Sequence, residues 1–495
     1  MRIGWVHYSV GSQGGVETMI HRSVRGLLDA DAGLRIHFVG RAGPLLPDWL
    51  AMAPDRMSCA DVPEMGLAAW AEAQAGGRLE LVEKLAARLA RELAGCETVV
   101  VENASVGAHP AFNLAIARLV ETPPAGVVRF VFRVHDMVFH RLANYEAVKA
   151  LVAEAGLSAT GARRVLYPDL PHTTHIAVNR SDAFTLFCAG LDRTRIRYIP
   201  NAVEEALAQG ERLAGELRAR MESRGWVRPG EKLLVYGVRA VPRKNLTEAL
   251  LLTRLLNLLS SGQGGIPHAL QPEGPFRLIV AIAPEEAKFR RYSDTLQEFV
   301  DRNNFEAKLG LENLITPQAK IGPDGKAQTY GVAELYAAGA AAVTTSVLEG
   351  FGFGFLEPWC AGRVVIGRRL PVVDDFIREG LRMEHFYRRL AVDNRDFRVL
   401  GEPPTPLFAP VSNEFSETGM TERLEFVRTL DGGSRLGHFL TENRWAVERM
   451  LEALVRPSRL VKLNRERAFD AYSPKRLTPR LLAALRGQSD PTPEF

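Results

Sequence analysis

The sequence predicts an α/β protein built from two doubly wound domains in tandem. Its 495 residues, at about 150 per domain, are too many for one compact core. Short β-rich runs alternate with segments of helical period along most of the chain, the pattern of consecutive βαβ units. Those runs are continuously apolar rather than alternating, as in a mostly parallel sheet covered on both faces.

The first series of strands is expected at 3–8 (IGWVHY), 35–39 (RIHFV), 98–102 (TVVVE), 127–134 (VVRFVFRV), 175–178 (HIAV) and 195–199 (RIRYI). After Gly14 and Gly15, the residues Val16, Met19, Ile20, Leu27 and Leu28 recur at helical spacing, so the first glycine loop leads directly into a helix. A polar helical stretch over 204–224 runs to the turn RPGEK at 228–232, where a second series opens. Its strands are expected at 233–237 (LLVYG), 276–282 (FRLIVAI), 313–317 (NLITP), 341–346 (AAVTTS) and 363–367 (RVVIG). The Gly- and Pro-rich stretches 260–275 and 316–331 read as exposed loops, and 386–433 has little periodicity and no assigned role. From 435 the pattern turns helical again, with a basic segment at 462–467 before a short helix and a polar tail. The expected organisation is an N-terminal domain over 1–205, a C-terminal domain over 206–455, and crossover helices with a tail over 456–495 that pack back across the molecule.

Composition narrows the partners. With 46% hydrophobic and 24% charged residues, the chain is neither disordered nor collagen-like. Lys and Arg number 62 against 58 Asp and Glu, and no basic block is long enough for a nucleic-acid arm. The start MRIGWVHYSVGSQGG reads as a strand entering a glycine loop rather than as a signal peptide. The longest run without a charged residue or His, 335–348, is 14 residues, short of the ~20 that cross a bilayer. Cys59, Cys96, Cys188 and Cys360 are scattered, which indicates neither a disulfide framework nor a zinc site and fits a reducing cytoplasm. The amphipathic stretch 81–93 carries Lys84, Arg88 and Arg91; an anionic membrane surface is one reading of it, and a solvated helix face is the commoner one.

Four clusters fall at expected carboxyl ends of strands, where open α/β sheets bind ligands. The first runs from Gly11 to Glu17, where glycines permit close backbone approach and the following helix offers N–H groups to an anion. It has neither dinucleotide-fingerprint spacing nor a P-loop lysine, and a plain tight turn explains it equally well. The second is Arg133-Val134-His135-Asp136, where His135 can hydrogen-bond a ligand while the carboxylate holds the loop. The competing reading is a histidine that satisfies buried backbone, and that reading is preferred for His109. The third runs from Gly237 to Asn245, where Arg239 and Lys244 are spaced to converge on one dianion such as a leaving diphosphate; a solvated basic loop is the alternative. The fourth, Ser346 to Trp359, sets glycines between Glu349 and Glu357. Carboxylates repel phosphate, so their natural ligands are hydroxyls, with the phosphates bridging the amides between them. Asp29-Ala30-Asp31 has the D-x-D form of a metal site but follows a helix, and reads as a helix-stop turn.

In chain order, GGVE at 14–17, HD at 135–136, IPNA at 199–202, R-x4-K from Arg239 to Lys244 and E-x7-E from Glu349 to Glu357 resemble the group 1 (family 4) retaining glycosyltransferases. The resemblance spans most of 1–380. It implies the GT-B fold: two Rossmann-like domains facing across a cleft, with a nucleotide-sugar donor held mainly by the C-terminal domain and the acceptor mainly by the N-terminal one. Arg239 and Lys244 would then hold the donor diphosphate, Glu357 the ribose and Glu349 the transferred sugar. The amides of Gly352, Phe353, Gly354 and Phe355, with Leu356 beside them, would border phosphate and sugar. Gly14 and Gly15 would approach the diphosphate, and His135 would lie near the sugar. Such enzymes work without a bound metal or cofactor, the nucleotide-sugar being a substrate.

This sequence departs from the family pattern with Ala202 after Asn201, Pro358 after Glu357 and a longer chain. The expected donor is a UDP- or GDP-sugar. The expected acceptor is a hydroxyl on a glycan, a lipid-linked intermediate or a small polar solute, with no nucleic acid and at most peripheral contact with the inner face of the membrane. Competing readings are a GT-B phosphorylase, a nucleotide-sugar epimerase and a nonenzymatic nucleotide-sugar-binding relative; E-x7-E favours transfer.

Overall fold

The protein's structure, a computed structural model, describes residues 1–12, 14–73, 77–158, 160–283, 287–316, 319–401 and 417–488. The chain forms two compact units, Met1–Ala202 with Tyr472–Phe495, and Val203–Ala471. The border expected at 205 falls at 202. The return to the first unit falls at 472 rather than 456, because the helix Ser434–Val455 and the helix Ser458–Tyr472 as far as Ala471 cluster with the second unit.

In the first unit, β1 (Arg2–Val6), β2 (Arg35–Gly40), β3 (Met57–Asp61), β4 (Thr98–Glu102), β5 (Arg129–Val134), β6 (Thr173–Ala177) and β7 (Ile196–Tyr198) form a parallel seven-stranded sheet in the order β3-β2-β1-β4-β5-β6-β7. Successive side chains feed opposite faces. Val99 and Val101 join Phe130 and Phe132 under the helices Arg78–Leu93 and Pro110–Glu121. Val100 and Val131 join Ile3, Trp5 and the helix Gly15–Ala30 on the other face. That second face is completed by the C-terminal helix Pro474–Leu485, which contributes Leu481, Leu482 and Leu485. Ser473 caps this helix by accepting from the Arg476 amide, and Pro474 takes the first turn, where no amide partner is lost. β3, absent from the expected strands, is the edge strand Met-Ser-Cys-Ala-Asp, which has no β-branched residue.

In the second unit, the chain forms β8 (Lys232–Arg239), β9 (Phe276–Ile282), β10 (Ala307–Leu309), a hairpin of β11 (Lys320–Ile321) and β12 (Ala327–Thr329), then β13 (Ala341–Thr344) and β14 (Val365–Gly367), and a second hairpin of β15 (Ala391–Val392) and β16 (Arg395–Asp396). The main sheet is parallel in the order β10-β9-β8-β13-β14. Over 313–316, the described part of the strand expected at 313–317, the chain makes no strand. The third β-run is β10, and the chain then turns through Glu312 and Asn313 at φ 44° and 62°, leaving Ile315 in a single bridge to Tyr330. The expected loop at 316–331 contains the first hairpin, with 317 and 318 outside the described residues. The stretch at 386–433 contains the second hairpin and the helix Glu417–Thr429, with 402–416 outside them; of the expected tail, 489–495 lies outside them as well.

The helix Arg78–Leu93 turns Val82, Leu85, Leu89 and Leu93 fully into the core, so its apolar face has no surface left for a membrane. Its cations face carboxylates: Lys84 lies 2.8 Å from Glu64 and Arg88 3.2 Å from Glu92. Among the described residues, no helix is long and apolar enough to cross a membrane.

Candidate active site

Each main sheet has a point where its strand order reverses, between β1 and β4 in the first and between β8 and β13 in the second. Loops leaving neighbouring strands there diverge and open a crevice at their carboxyl ends. The candidate residues gather at these two points, one set in each unit.

In the second unit, β8 ends at Arg239, and a short turn over Pro242–Lys244 brings Lys244 back beside the loop that leaves β13. Lys244 Nζ pairs with Glu349, and Arg243 Nη1 donates to the other carboxylate oxygen at 3.0 Å. Ser346 donates to Glu349 Oε1 at 2.6 Å. The S-x-x-E spacing thus places a donor three residues before the carboxylate it steadies. The backbone is tied equally closely. The Tyr236 hydroxyl donates to the Lys244 carbonyl at 3.0 Å and lies 2.7 Å from Ser346 Oγ, while the Thr345 hydroxyl is within 3.0 Å of the carbonyls of Lys244 and Asn245. Burial alone would raise the Glu349 carboxyl, but Lys244 and Arg243 overcome it and hold its pKa down at about 2. For Lys244, burial and then Arg243 outweigh Glu349 and bring the amine down to about 8, with Arg239 close enough to add to the effect. The result is a carboxylate that stays ionised among cations, two of which, Arg243 and Lys244, it holds directly.

Glu357 lies on the helix Phe353–Cys360, 7% exposed, and its charge adds to burial in pushing the Tyr336 hydroxyl well above its ordinary pKa. Tyr336 packs against Gly237 so closely that a Cβ there would meet its hydroxyl at 2.6 Å. Gly352 precedes the helix at φ 88°, a left-handed conformation suited to glycine. Phe353 packs edge-on against Phe351, and Gly354 lies next to it in the first turn. Phe355 and Leu356 are fully buried, so their side chains belong to the core. The Phe355 amide, expected to face phosphate or sugar, donates instead to the Gly352 carbonyl at 2.9 Å, because the helix closes its first turn there.

In the first unit, His135 follows β5, and its Nε2 lies 2.5 Å from Glu102 Oε1 at the end of β4. Glu102 is fully buried, accepts from Trp5 Nε1 at 2.9 Å, and pairs with Arg133 at 3.1 Å. Burial works to raise its carboxyl, but Arg133 and His135 together hold it below its ordinary value. Burial lowers the pKa of His135, so the ring is neutral near pH 7, donates through Nε2 to Glu102 and leaves Nδ1 as an acceptor. Asp136 holds the loop, as expected, through Arg141 at 2.7 Å and the Met137 amide at 3.0 Å. Asn201 accepts from Arg133 at 3.5 Å.

Gly14 caps the helix Gly15–Ala30, and a Cβ on it would stand 2.1 Å from Glu17 Oε2, whereas Gly15 faces open space. Gln13 of this loop lies outside the described residues. His7 follows β1, donates through Nδ1 to the Glu102 carbonyl at 3.1 Å, and has Nε2 3.7 Å from Glu17. His109 is structural, accepting from the Phe112 amide at 3.0 Å and donating to the Glu64 carbonyl at 3.0 Å. Asp31 of D-x-D accepts from the Gly33 amide, as a helix-stop turn does, and pairs with Arg486 of the C-terminal helix end. Among the described residues, no group of three or more His, Cys, Asp or Glu is arranged to hold a metal ion.

Lys244, Glu349 and His135 are motif residues of the sequence, whereas Arg243, Tyr236 and Glu102, which the structure joins to them, are not. Glu102 carried one usable signal: it is the charged residue that ends the apolar run TVVVE, at the carboxyl end of a strand.

No family model matches the chain. Mannosylglucosyl-3-phosphoglycerate synthase from Petrotoga mobilis is 23% identical over 387 residues, covering 77% of this chain and 67% of that protein. Among solved structures, Anabaena HepE in complex with UDP-glucose superposes with a TM-score of 0.55 at 13% identity, over 98% of this chain and 100% of that one. WaaG, a glycosyltransferase involved in lipopolysaccharide biosynthesis, gives a TM-score of 0.53 at 14% identity over 98% and 100% of the two chains. These likenesses show the fold, the GT-B type with two Rossmann-like α/β units.

Proposed function

We propose that this protein is a retaining glycosyltransferase that moves a hexose from a UDP- or GDP-sugar to a hydroxyl acceptor without a bound metal. The observation that carries the reading is the Lys244–Glu349 pair, with Arg243 attached to it, at the switch point of the second sheet. Cations fixed at such a crevice before substrate arrives stabilise charge that develops on a leaving diphosphate, the role a divalent ion would otherwise take. Glu349, ionised throughout the working pH range, is an acceptor suited to sugar hydroxyls and not to phosphate. Glu357 is assigned to the ribose, Arg239 to the diphosphate with Lys244, and the Nδ1 acceptor of His135 to a sugar hydroxyl.

In the step proposed, the bond from the anomeric carbon to the diphosphate oxygen breaks and the bond to the acceptor oxygen forms on the same face. The acceptor's proton passes to the leaving phosphate oxygen, so configuration is retained. The UDP-glucose named for HepE and the glycosyltransferase activity named for WaaG support the donor class. The Petrotoga relative, named for a product built on phosphoglycerate, places small anionic acceptors in the first screen beside glycans and lipid-linked sugars.

The test is thermal stabilisation of the wild type and of Glu357→Ala by UDP, GDP, ADP and their glucose and mannose conjugates, followed by acceptor screening and NMR of the product's anomeric centre. Stabilisation by one nucleotide family, weakened in the variant, with an α-linked product from an α-linked donor, is the expected result. Stabilisation by none of them would overturn the donor assignment, phosphate-dependent turnover without nucleotide would identify a phosphorylase, conversion of the donor without acceptor an epimerase, and an inverted product would remove the front-face step.

A further inference from the structure

The segment that follows β14 has no part in the reading above, yet a buried ion network joins it to the loop that carries Lys244. Glu248, fully buried in the first turn of the helix Leu246–Ser260, accepts from Arg368 at 2.6 and 3.1 Å. It also accepts from the Tyr387 hydroxyl at 2.8 Å and from Asn245 Nδ2 at 2.9 Å. Arg368, itself 2% exposed, continues to Asp396 on β16 at 2.9 Å and to the Arg388 carbonyl at 2.9 Å. At the other end Asn245, the residue after Lys244, has φ 49° and ψ 54°. Residues other than glycine rarely take this left-handed conformation, Asn being among the more tolerant. Its side chain is held from both sides, since Oδ1 accepts from Thr247 Oγ1 at 3.1 Å while Nδ2 is engaged by Glu248.

We propose that Glu248 and Arg368 are positioning residues for Lys244, acting through the left-handed turn at Asn245, and that the 386–396 segment is present to complete them with Tyr387 and Asp396. A fully buried carboxylate is costly unless its oxygens are paired, and the two oxygens of Glu248 are shared among Arg368, Tyr387 and Asn245, so the same side chain that anchors Asn245 is held in place by Arg368. Slackening at Arg368 therefore reaches the backbone that sets where Lys244 Nζ stands. The proposal deepens the functional reading, because it takes Lys244 as the cation at the donor diphosphate.

Tyr387→Phe removes one donor and no charge, and Glu248→Gln keeps the shape while removing the charge. In the folded full-length protein, each is expected to speed amide exchange over 241–248 by about tenfold while β9 is unchanged. Each is also expected to lower kcat by about tenfold with donor KM within about threefold. Asn245→Gly takes the same backbone conformation with no side chain to anchor, so in its background Glu248→Gln should lower kcat by no more than about threefold further. Strictly additive losses in this cycle, or unchanged exchange over 241–248 in Tyr387→Phe, would overturn the proposal and leave the network with a stabilising role alone. Exchange is measured without substrate, so a wild type that transfers no sugar would refute the functional reading while the exchange data still decide the wiring.

Discussion

Lys244 is the residue at which burial and function pull apart. The amine is needed as a cation, but its surroundings lower its pKa to about 8. Turnover is therefore expected to fall with an apparent pKa near 8 as pH rises. The same titration acts on stability with the opposite sign. Between about 8 and the ordinary 10.5 the folded chain binds fewer protons than the unfolded one, so Lys244's contribution to stability grows with pH across that window. Lys244→Ala should lower turnover by orders of magnitude, and near-normal single-turnover kinetics in that variant would remove the lysine from the mechanism. Glu349 behaves as a depressed carboxylate: its contribution, on the order of 3 kcal/mol by linkage, is full above about 4.5 and is lost as pH falls through about 2. Urea midpoints of wild type and Glu349→Gln should converge over that interval. For Glu102→Gln, loss of the ionised acceptor frees the His135 ring, and kcat should fall by about 10- to 100-fold, with the ring nitrogen shifts in NMR reporting a mixture of tautomers.

At the scale of elements, what could be read from the sequence depended on how local the determinants are. β1, β4, β5, β8 and β9 are apolar runs whose own composition specifies a buried parallel strand. β3 and β10 are not: Met-Ser-Cys-Ala-Asp and Ala-Lys-Leu become strands because a neighbouring strand offers its edge. The run NLITP has better strand composition than AKL, but the left-handed turn at Glu312 and Asn313 leads away from the sheet. The site divides in the same way. Ser346 and Glu349 are three residues apart and visible as a motif, whereas Glu102 meets His135 across 33 residues and Glu248 meets Arg368 across 120. The helix Arg78–Leu93 is the converse case, where an amphipathic pattern correctly predicts the element and leaves its partner undecided. Because its apolar stripe is consumed by the core, Lys84→Glu with Arg91→Glu is expected to leave flotation with anionic vesicles unchanged.

At the scale of the whole molecule, the first unit is finished by the last described helix of the chain. Pro474–Leu485 supplies Leu481, Leu482 and Leu485 to the face of the first sheet that also holds Ile3, Trp5 and Ile20. It is latched by polar contacts as well: Thr98 Oγ1 donates to the Leu485 carbonyl at 3.0 Å, Arg480 to the Tyr198 carbonyl at 2.7 Å, and Arg486 pairs with Asp31 at 2.7 Å. The first unit therefore cannot complete this face until the second has been synthesised, since Val203–Ala471 lies between the two pieces in sequence. The second unit has no such dependence. Leu485→Ala should destabilise the first unit by about 2–5 kcal/mol, the usual range for a fully buried leucine. Ending the chain at 471 should go further, exposing to water the part of this face that Pro474–Leu485 covers beside the helix Gly15–Ala30. Amide exchange separates the two units in one experiment: in the shortened chain, protection of β1 and β4 should collapse while that of β8 and β9 persists. Equal loss in both sheets would mean that the units fold as a single cooperative body, and unchanged protection of β1 would mean that the helix contributes packing the first unit can do without.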